Sequence, residues 1–262
     1  AVGEALSAGT ADVGLIPGGT YVLYDDGCDV LLTATRDGLS IDSDSAKDWN
    51  DNAPTQPTTD QVTSYRALMI AGPSEKGKAL AAKVNAGEQL TWEDVSGANW
   101  SVMNSSSPAG YIYPSLWLQE NFSKNITDLP HAVQSDSYGS AFARLASGQV
   151  DVLCTYADGR RDYEDEWTGE YAMTNSIWDD TAVIGVTPAI YNDTISVSKT
   201  SPIMDDSFKA ALSEAFINIG NTEQGKQVIA IYSHNGYMPA ESSDYDSERA
   251  AQEMIRSLNS AG

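Results

Sequence analysis

Two stretches far apart in the chain repeat one another: Leu6-Ser-Ala-Gly9-Thr-Ala-Asp12-Val13 and Leu145-Ala-Ser-Gly148-Gln-Val-Asp151-Val152. Each reads as the end of a helix, a glycine stop and a short apolar strand opening on Asp-Val, so the chain holds two copies of one helix-to-strand unit. Two such halves predict two α/β lobes, and a cleft between α/β lobes is where small ligands bind. A length of 262 residues suffices for both lobes.

The pattern around the first copy predicts a strand over 13–16, a sharp turn at Pro17-Gly18-Gly19 and a short apolar run over 21–24. Residues 40–60 are polar, acidic and proline-bearing, which predicts a long surface loop without a core. Residues 65–71 read as an apolar strand ended by Gly72-Pro73, and 77–85 as a helix. Around the second copy the order is strand (100–103), polar turn (104–108), helix (109–122), helix (140–147) and strand (150–154). Strands over 181–187 and 195–198 and amphipathic helices over 206–219 and 222–232 complete the alternation, which indicates α/β with mostly parallel sheets. The first copy lacks the strand and helix that precede the second. A parallel sheet around 13–16 would therefore carry an edge or a gap, and a segment on the order of tens of residues is expected before Ala1 in the natural protein.

Charge and motif content exclude several functions. Thirty-seven acidic against 15 basic residues give a net charge of −22, which repels nucleic acid and anionic membrane surfaces. No run of eighteen apolar residues exists to span a bilayer. Cys28, in a turn-rich segment, and Cys154, in an apolar strand, read as two free thiols without metal-ligand spacing. His131 and His234 lie beside no nucleophile, no phosphate-cradling loop with lysine occurs, and the run Asp162-Tyr-Glu-Asp-Glu166 reads as a solvated face. An enzyme, a metal site and a cofactor are not expected.

Four segments carry a resemblance to a known family: Gly148-Gln-Val-Asp-Val, Ser107-Pro-Ala-Gly-Tyr-Ile-Tyr-Pro114, Thr187-Pro-Ala-Ile-Tyr-Asn-Asp193-Thr-Ile-Ser-Val and Met238-Pro-Ala-Glu-Ser-Ser-Asp-Tyr-Asp246. In that order, over nearly the whole chain, they resemble the phosphate/phosphite/phosphonate-binding proteins of bacterial ABC importers. The resemblance implies a type II periplasmic-binding fold, with two lobes closing over a ligand and hinge crossings near 72–74 and 190–193. It places residues 1–73 and 193–262 in lobe 1 and 74–192 in lobe 2. It also implies an extracytoplasmic monomer, periplasmic or a cell-surface lipoprotein, that serves an ABC permease. A ligand sensor on the same fold, or an α/β enzyme, are the alternatives.

Ser105, Ser106 and Ser107 set hydroxyls and backbone N–H groups at a helix start, where an anion is favoured. The family's turn reads roughly Ser-Thr-Ser-Gly, whereas Ser107 is followed here by Pro108 and Ala109, which removes two hydroxyls and one N–H. Tyr138 stands where the family usually carries histidine, so a potential cation is lost. By the resemblance, Asp158 and Asp193 match the carboxylates that hold a ligand's ammonium, and Tyr65 matches a contacting tyrosine. Tyr156 flanks Asp158, and Thr20 and Tyr21 follow the glycine turn where the first lobe would touch a ligand. The expected ligand is a small phosphonate-like molecule or an amine-bearing zwitterion, with its cation between Asp158 and Asp193.

Overall fold

The structure, a computed structural model, describes residues 2–51, 53–232 and 234–260. The strands are β1 (Val13–Ile16), β2 (Cys28–Leu39), β3 (Pro57–Val62), β4 (Ser64–Tyr65), β5 (Ala67–Ala71), β6 (Trp100–Val102), β7 (Ala132–Gln134), β8 (Val152–Tyr156), β9 (Ala182–Val186), β10 (Ile190–Tyr191), β11 (Thr194–Ser198) and β12 (Gly236–Pro239). The chain forms two compact units, one from residues 1–38, 57–65 and 190–262, the other from 39–56 and 66–189.

The first unit is built on a sheet of order β1-β11-β2-β12, antiparallel throughout, with β3 also paired to β2. Among the described residues β1 pairs only with β11, at the end of the strand order. Leu6, Ile16, Tyr21, Cys28, Val30 and Tyr245 pack as one core cluster of this unit, and Leu32, Ala34, Ile195, Ile229 and Tyr237 as another. β4 and β10 pair antiparallel, Tyr65 opposite Ile190.

The second unit carries a sheet of order β7-β6-β8-β5-β9. The run Ala67-Leu-Met-Ile-Ala71 is buried along its whole length because this central strand is covered on both faces. Leu68 and Ile70 enter one cluster with Phe142, Leu145, Leu153 and Trp167, while Met69 and Ala71 enter another with Trp100, Trp117, Leu118 and Cys154.

The repeated unit is present in both. Helix Val2–Ser7 leads through Gly9 (φ +70°) into β1, and helix Tyr138–Ala146 leads through Gly148 (φ +71°) into β8, both glycines taking the left-handed conformation that ends a helix cheaply. The two aspartates anchor the same corner. Asp12 accepts from Ser201 Oγ (2.6 Å), and Asp151 accepts from Ser74 Oγ (2.6 Å) and Asn99 N (2.7 Å).

Several expectations are corrected. The α/β class holds, but the sheets are mixed: β6 runs parallel to β7 and β8, while β8–β5, β5–β9 and the first unit's main ladders are antiparallel. An apolar run reports burial and carries no direction, so β5 gave no warning of its reversal. Residues 39–56 are no bare loop. Trp49 is buried in the second unit's core, and the Asn50 side chain bonds both Val183 N (2.7 Å) and Val183 O (2.9 Å), closing the edge of β9. The chain consequently passes between units at 38/39, 56/57, 65/66 and 189/190, and β5 lies in the second unit, not in a lobe ending at residue 73. The turn expected at 17–19 opens helix Gly18–Leu23, and Cys28 begins the longest strand. Cys28 and Cys154 are free, buried thiols.

Candidate functional site

Ser107 caps the helical stretch that begins with Pro108–Ile112 and continues as Tyr113–Phe122; its Oγ accepts from Gly110 N (3.2 Å). The preceding turn spends most of its donors on itself. Ser106 N and Oγ both donate to Asn104 Oδ1 (3.1 and 2.6 Å), and Ser107 N donates to Asn104 O (2.9 Å). Ser105 is exposed and makes no hydrogen bond among the described residues. Of the donors expected free in this turn, Ser106 N, Ser106 Oγ and Ser107 N are taken, and the Ser105 N–H and hydroxyl are left.

The Ser107 hydroxyl meets one phenol, which packs on a second. Tyr138, in the first turn of helix Tyr138–Ala146, brings its OH to 3.5 Å from Ser107 Oγ and its ring edge-on to Tyr156 (5.0 Å, 84°). Tyr156, at the end of β8, donates to Asp162 Oδ2 (2.7 Å). Burial pushes the Tyr138 phenol up, and burial together with the Asp162 carboxylate pushes Tyr156 up further, so both remain neutral donors. Ser107, Tyr138 and Tyr156 thus form one cluster within the second unit.

Asp158 departs from expectation. Its side chain is 0% exposed; Thr55 Oγ1 donates to one carboxylate oxygen and Arg160 Nε to the other (3.3 Å). Arg160, itself buried, also donates Nη2 to Trp49 O (3.3 Å) and lies 4.5 Å over the Trp178 ring. A buried carboxylate needs a partner, and this one has it inside its own unit, leaving no charge for a ligand's ammonium to neutralise.

In the first unit, Arg36 stacks on Tyr65, its guanidinium carbon 4.1 Å from the ring centroid, and donates Nε to Asn192 Oδ1 (2.8 Å). Asn192 is fixed in turn by Nδ2 bonds to Ala34 O (2.9 Å) and Val62 O (3.2 Å). Asp193 keeps a side chain 47% exposed, with His234 Nε2 at 3.4 Å, and His234 Nδ1 lies 3.2 Å from Tyr237 OH. Thr20 is half-buried in helix Gly18–Leu23. Tyr21 is corrected: it is 2% exposed, set edge-on against Tyr245 (5.3 Å), with its OH donating to Ser242 Oγ (3.1 Å), so it is core. A first-unit cavity of about 510 Å³, lined among others by Gln61, Lys226 and His234, is lined by none of the expected residues. Arg36, Thr55, Arg160 and His234 were missed by sequence reasoning; only Arg160, two positions from Asp158, carried a local signal.

Residues 1–245 match the family described as ABC transporter, phosphonate, periplasmic substrate-binding protein, and the chain belongs to that family. Among solved structures it is similar to an ATP-bound protein of Xanthomonas citri (TM-score 0.61, 14% identity, 98% of this chain and 82% of that one). It is also similar to a binding-protein component of an ABC phosphonate transporter from Pseudomonas aeruginosa (0.55, 14%, 99% and 74%). PhnD1 of Prochlorococcus marinus in complex with methylphosphonate gives 0.50 at 14% identity, with 97% and 82% covered. These likenesses show the fold, a type II periplasmic-binding fold. A stretch of 174 residues, 62% of the chain, is 28% identical to acetyl-coenzyme A synthetase of Bartonella quintana (strain Toulouse), of which the chain spans 26%. No helix among the described residues is long and apolar enough to cross a membrane.

Proposed function

We propose that this chain works outside the cytoplasm as a monomeric solute-binding protein, capturing a small phosphonate-class ligand and handing it to an ABC permease without chemical turnover. The family supports the role, and one observation supports the ligand class: the Ser107 and Tyr138 hydroxyls meet as neutral donors at a helix start, with the Tyr156 ring packed edge-on against Tyr138. Neutral donors match oxygen acceptors of modest charge. With no cation among those three groups, a phosphonate monoanion suits the cluster better than a dianion.

Asp158 is already neutralised by Arg160, whereas Asp193 is half-exposed, with His234 Nε2 at 3.4 Å and Arg36 also near, and is the carboxylate left open to an ammonium. A zwitterion such as 2-aminoethylphosphonate therefore remains the preferred probe. Lipoprotein anchoring is a further expectation of this reading.

Calorimetry and thermal shift against methylphosphonate, 2-aminoethylphosphonate, phosphate and phosphite test it, since a ligand that binds only the folded state raises the melting temperature. Tyr138→Phe should weaken phosphonate binding by about 1.5–3 kcal/mol, the scale of a hydrogen bond to a charged group. Asp193→Asn should weaken 2-aminoethylphosphonate, which carries an ammonium, and should not weaken methylphosphonate, which carries none. Absence of binding by all four compounds overturns the reading.

A further inference from the structure

The first unit holds a cation that nothing in the expected site accounts for. Arg36 lies on β2, half-buried, in a chain with 37 acidic and 15 basic residues. Acidic partners are abundant in such a chain, and Arg66, Arg160, Arg161 and Arg249 each pair with a carboxylate within 4 Å. Arg36, like Arg144 and Arg256, pairs with none among the described residues, but it alone of these three is clamped by an aromatic ring and a buried amide. Its Nε is committed to the neutral Asn192 amide and its face to the Tyr65 ring, while Nη1 and Nη2 make no hydrogen bond among the described residues.

This arrangement holds a guanidinium rigidly and leaves its forked edge unspent. The stack fixes the plane, and the Nε bond fixes rotation within it. Asn192 is itself buried and tied to two backbone carbonyls, so the clamp does not drift. Two parallel N–H donors at fixed spacing match two oxygens of a phosphonate, phosphate or carboxylate, and pre-ordering lowers the entropy lost on binding. Burial acts against the cation, while the nearby Asp193 carboxylate and the Tyr65 phenol support it. Asp193 makes no ion pair with Arg36; the group near its carboxylate is His234. Asp37, next along the strand, is occupied by Gln61 and Asn235 (2.6 and 3.0 Å).

We propose that Arg36, braced by Tyr65 and Asn192, is an oxyanion-binding subsite on the first unit. The proposal rests on the reading that the chain takes up phosphonate-class oxyanions. It also gives the site a built-in polarity, since Asp193 offers an acceptor for an ammonium on the same unit.

The test compares the whole chain with Arg36→Gln and Arg36→Lys by calorimetry against methylphosphonate, inorganic phosphate and sulfate, with melting temperatures of the unliganded proteins recorded alongside. Arg36→Gln is expected to weaken methylphosphonate by about 10- to 100-fold, the scale of a charge-assisted hydrogen bond, with the unliganded melting temperature little changed. Arg36→Lys, which keeps the charge but loses the fork and the Nε bond, should fall between; it also carries the comparison if Arg36→Gln fails to fold. Wild-type binding of methylphosphonate with both variants within twofold overturns the subsite and leaves the proposed function standing. Phosphate or sulfate binding that depends on Arg36, with no phosphonate binding, keeps the subsite and overturns the ligand class. No oxyanion bound by the wild type overturns both.

Discussion

The buried pair of Asp158 and Arg160 gives a sharp measurement, because the two roles open to Asp158 predict opposite outcomes for the unliganded protein. Both side chains are nearly inaccessible, at 0% and 2% exposure, and each has a second tie inside the second unit: Thr55 to Asp158, and Trp49 O and the Trp178 ring to Arg160. Removing one partner of a buried pair strands the other charge, at a cost of about 3–5 kcal/mol. Asp158→Ala should therefore destabilise the protein by about that amount, which at the usual scaling for 150–250 residues lowers the melting temperature by roughly 6–20 °C. Arg160→Met, which keeps an apolar stem against Trp178 but abandons Asp158, should cost a similar amount. The double variant removes both charges and should be less unstable than the sum of the two, with a coupling of about 2 kcal/mol or more. Urea unfolding followed by tryptophan fluorescence reads all four proteins, since Trp49 and Trp178 border the pair. If Asp158→Ala leaves unliganded stability within about 0.5 kcal/mol of wild type, the carboxylate is not held as described, and a role as ligand contact regains its footing.

Trp49→Ala should cost about 3–5 kcal/mol in urea unfolding, because the ring is 3% exposed in the core cluster shared with Leu68 and Trp178; a loss under 1 kcal/mol would return residues 39–56 to the status of a surface loop. Burial pushes the Cys28 thiol up to about 11 and raises Cys154 as well, so neither should react with iodoacetamide at pH 8 until urea exposes both. Labelling of the native protein at either thiol would contradict that burial. Tyr111, Tyr138, Tyr156, Tyr163, Tyr171, Tyr237 and Tyr245 all have phenols raised by burial from 10.0. The fold favours their neutral form, so their contribution is complete below about pH 10 and is lost as pH climbs above it. The urea midpoint should be lower at pH 11 than at pH 8, and equal midpoints would refute the assignment.

What the amino-acid sequence discloses here is local chemistry. The helix–glycine–strand repeat is legible because Gly9 and Gly148 answer a backbone requirement, positive φ, that few other residues meet. Helix Tyr138–Ala146 and the capped start at Ser107 are legible for the same reason: the capping side chains lie within three residues of what they cap. Strand direction is another matter. Ala67–Ala71 announces burial but not that it runs against β8, since direction depends on connections elsewhere. The segment 39–56 offers few apolar residues, Leu39, Ile41, Ala46 and Trp49 among them, and its place in the second unit rests on these packing together, on Asn50 reaching Val183 and on Thr55 reaching Asp158 across more than a hundred positions. In the candidate site, residue type survived better than role. Ser107 meets Tyr138 and Tyr138 meets Tyr156, but Tyr21 is spent on the core through partners far along the chain, and Asp158 on Arg160, two positions away.

In the first unit's sheet, β1 and β2 never touch; β11 lies between them, and it begins at Thr194. A chain made from its amino end therefore holds two unpaired neighbours waiting for a strand that arrives about 180 positions after β1, a gap fixed by the bounds Val13 and Thr194. The other unit is complete in its own strands by Val186. The later-numbered unit is thus the first able to close, and the β1 and β2 edges stay exposed to mispairing until β11 has been made.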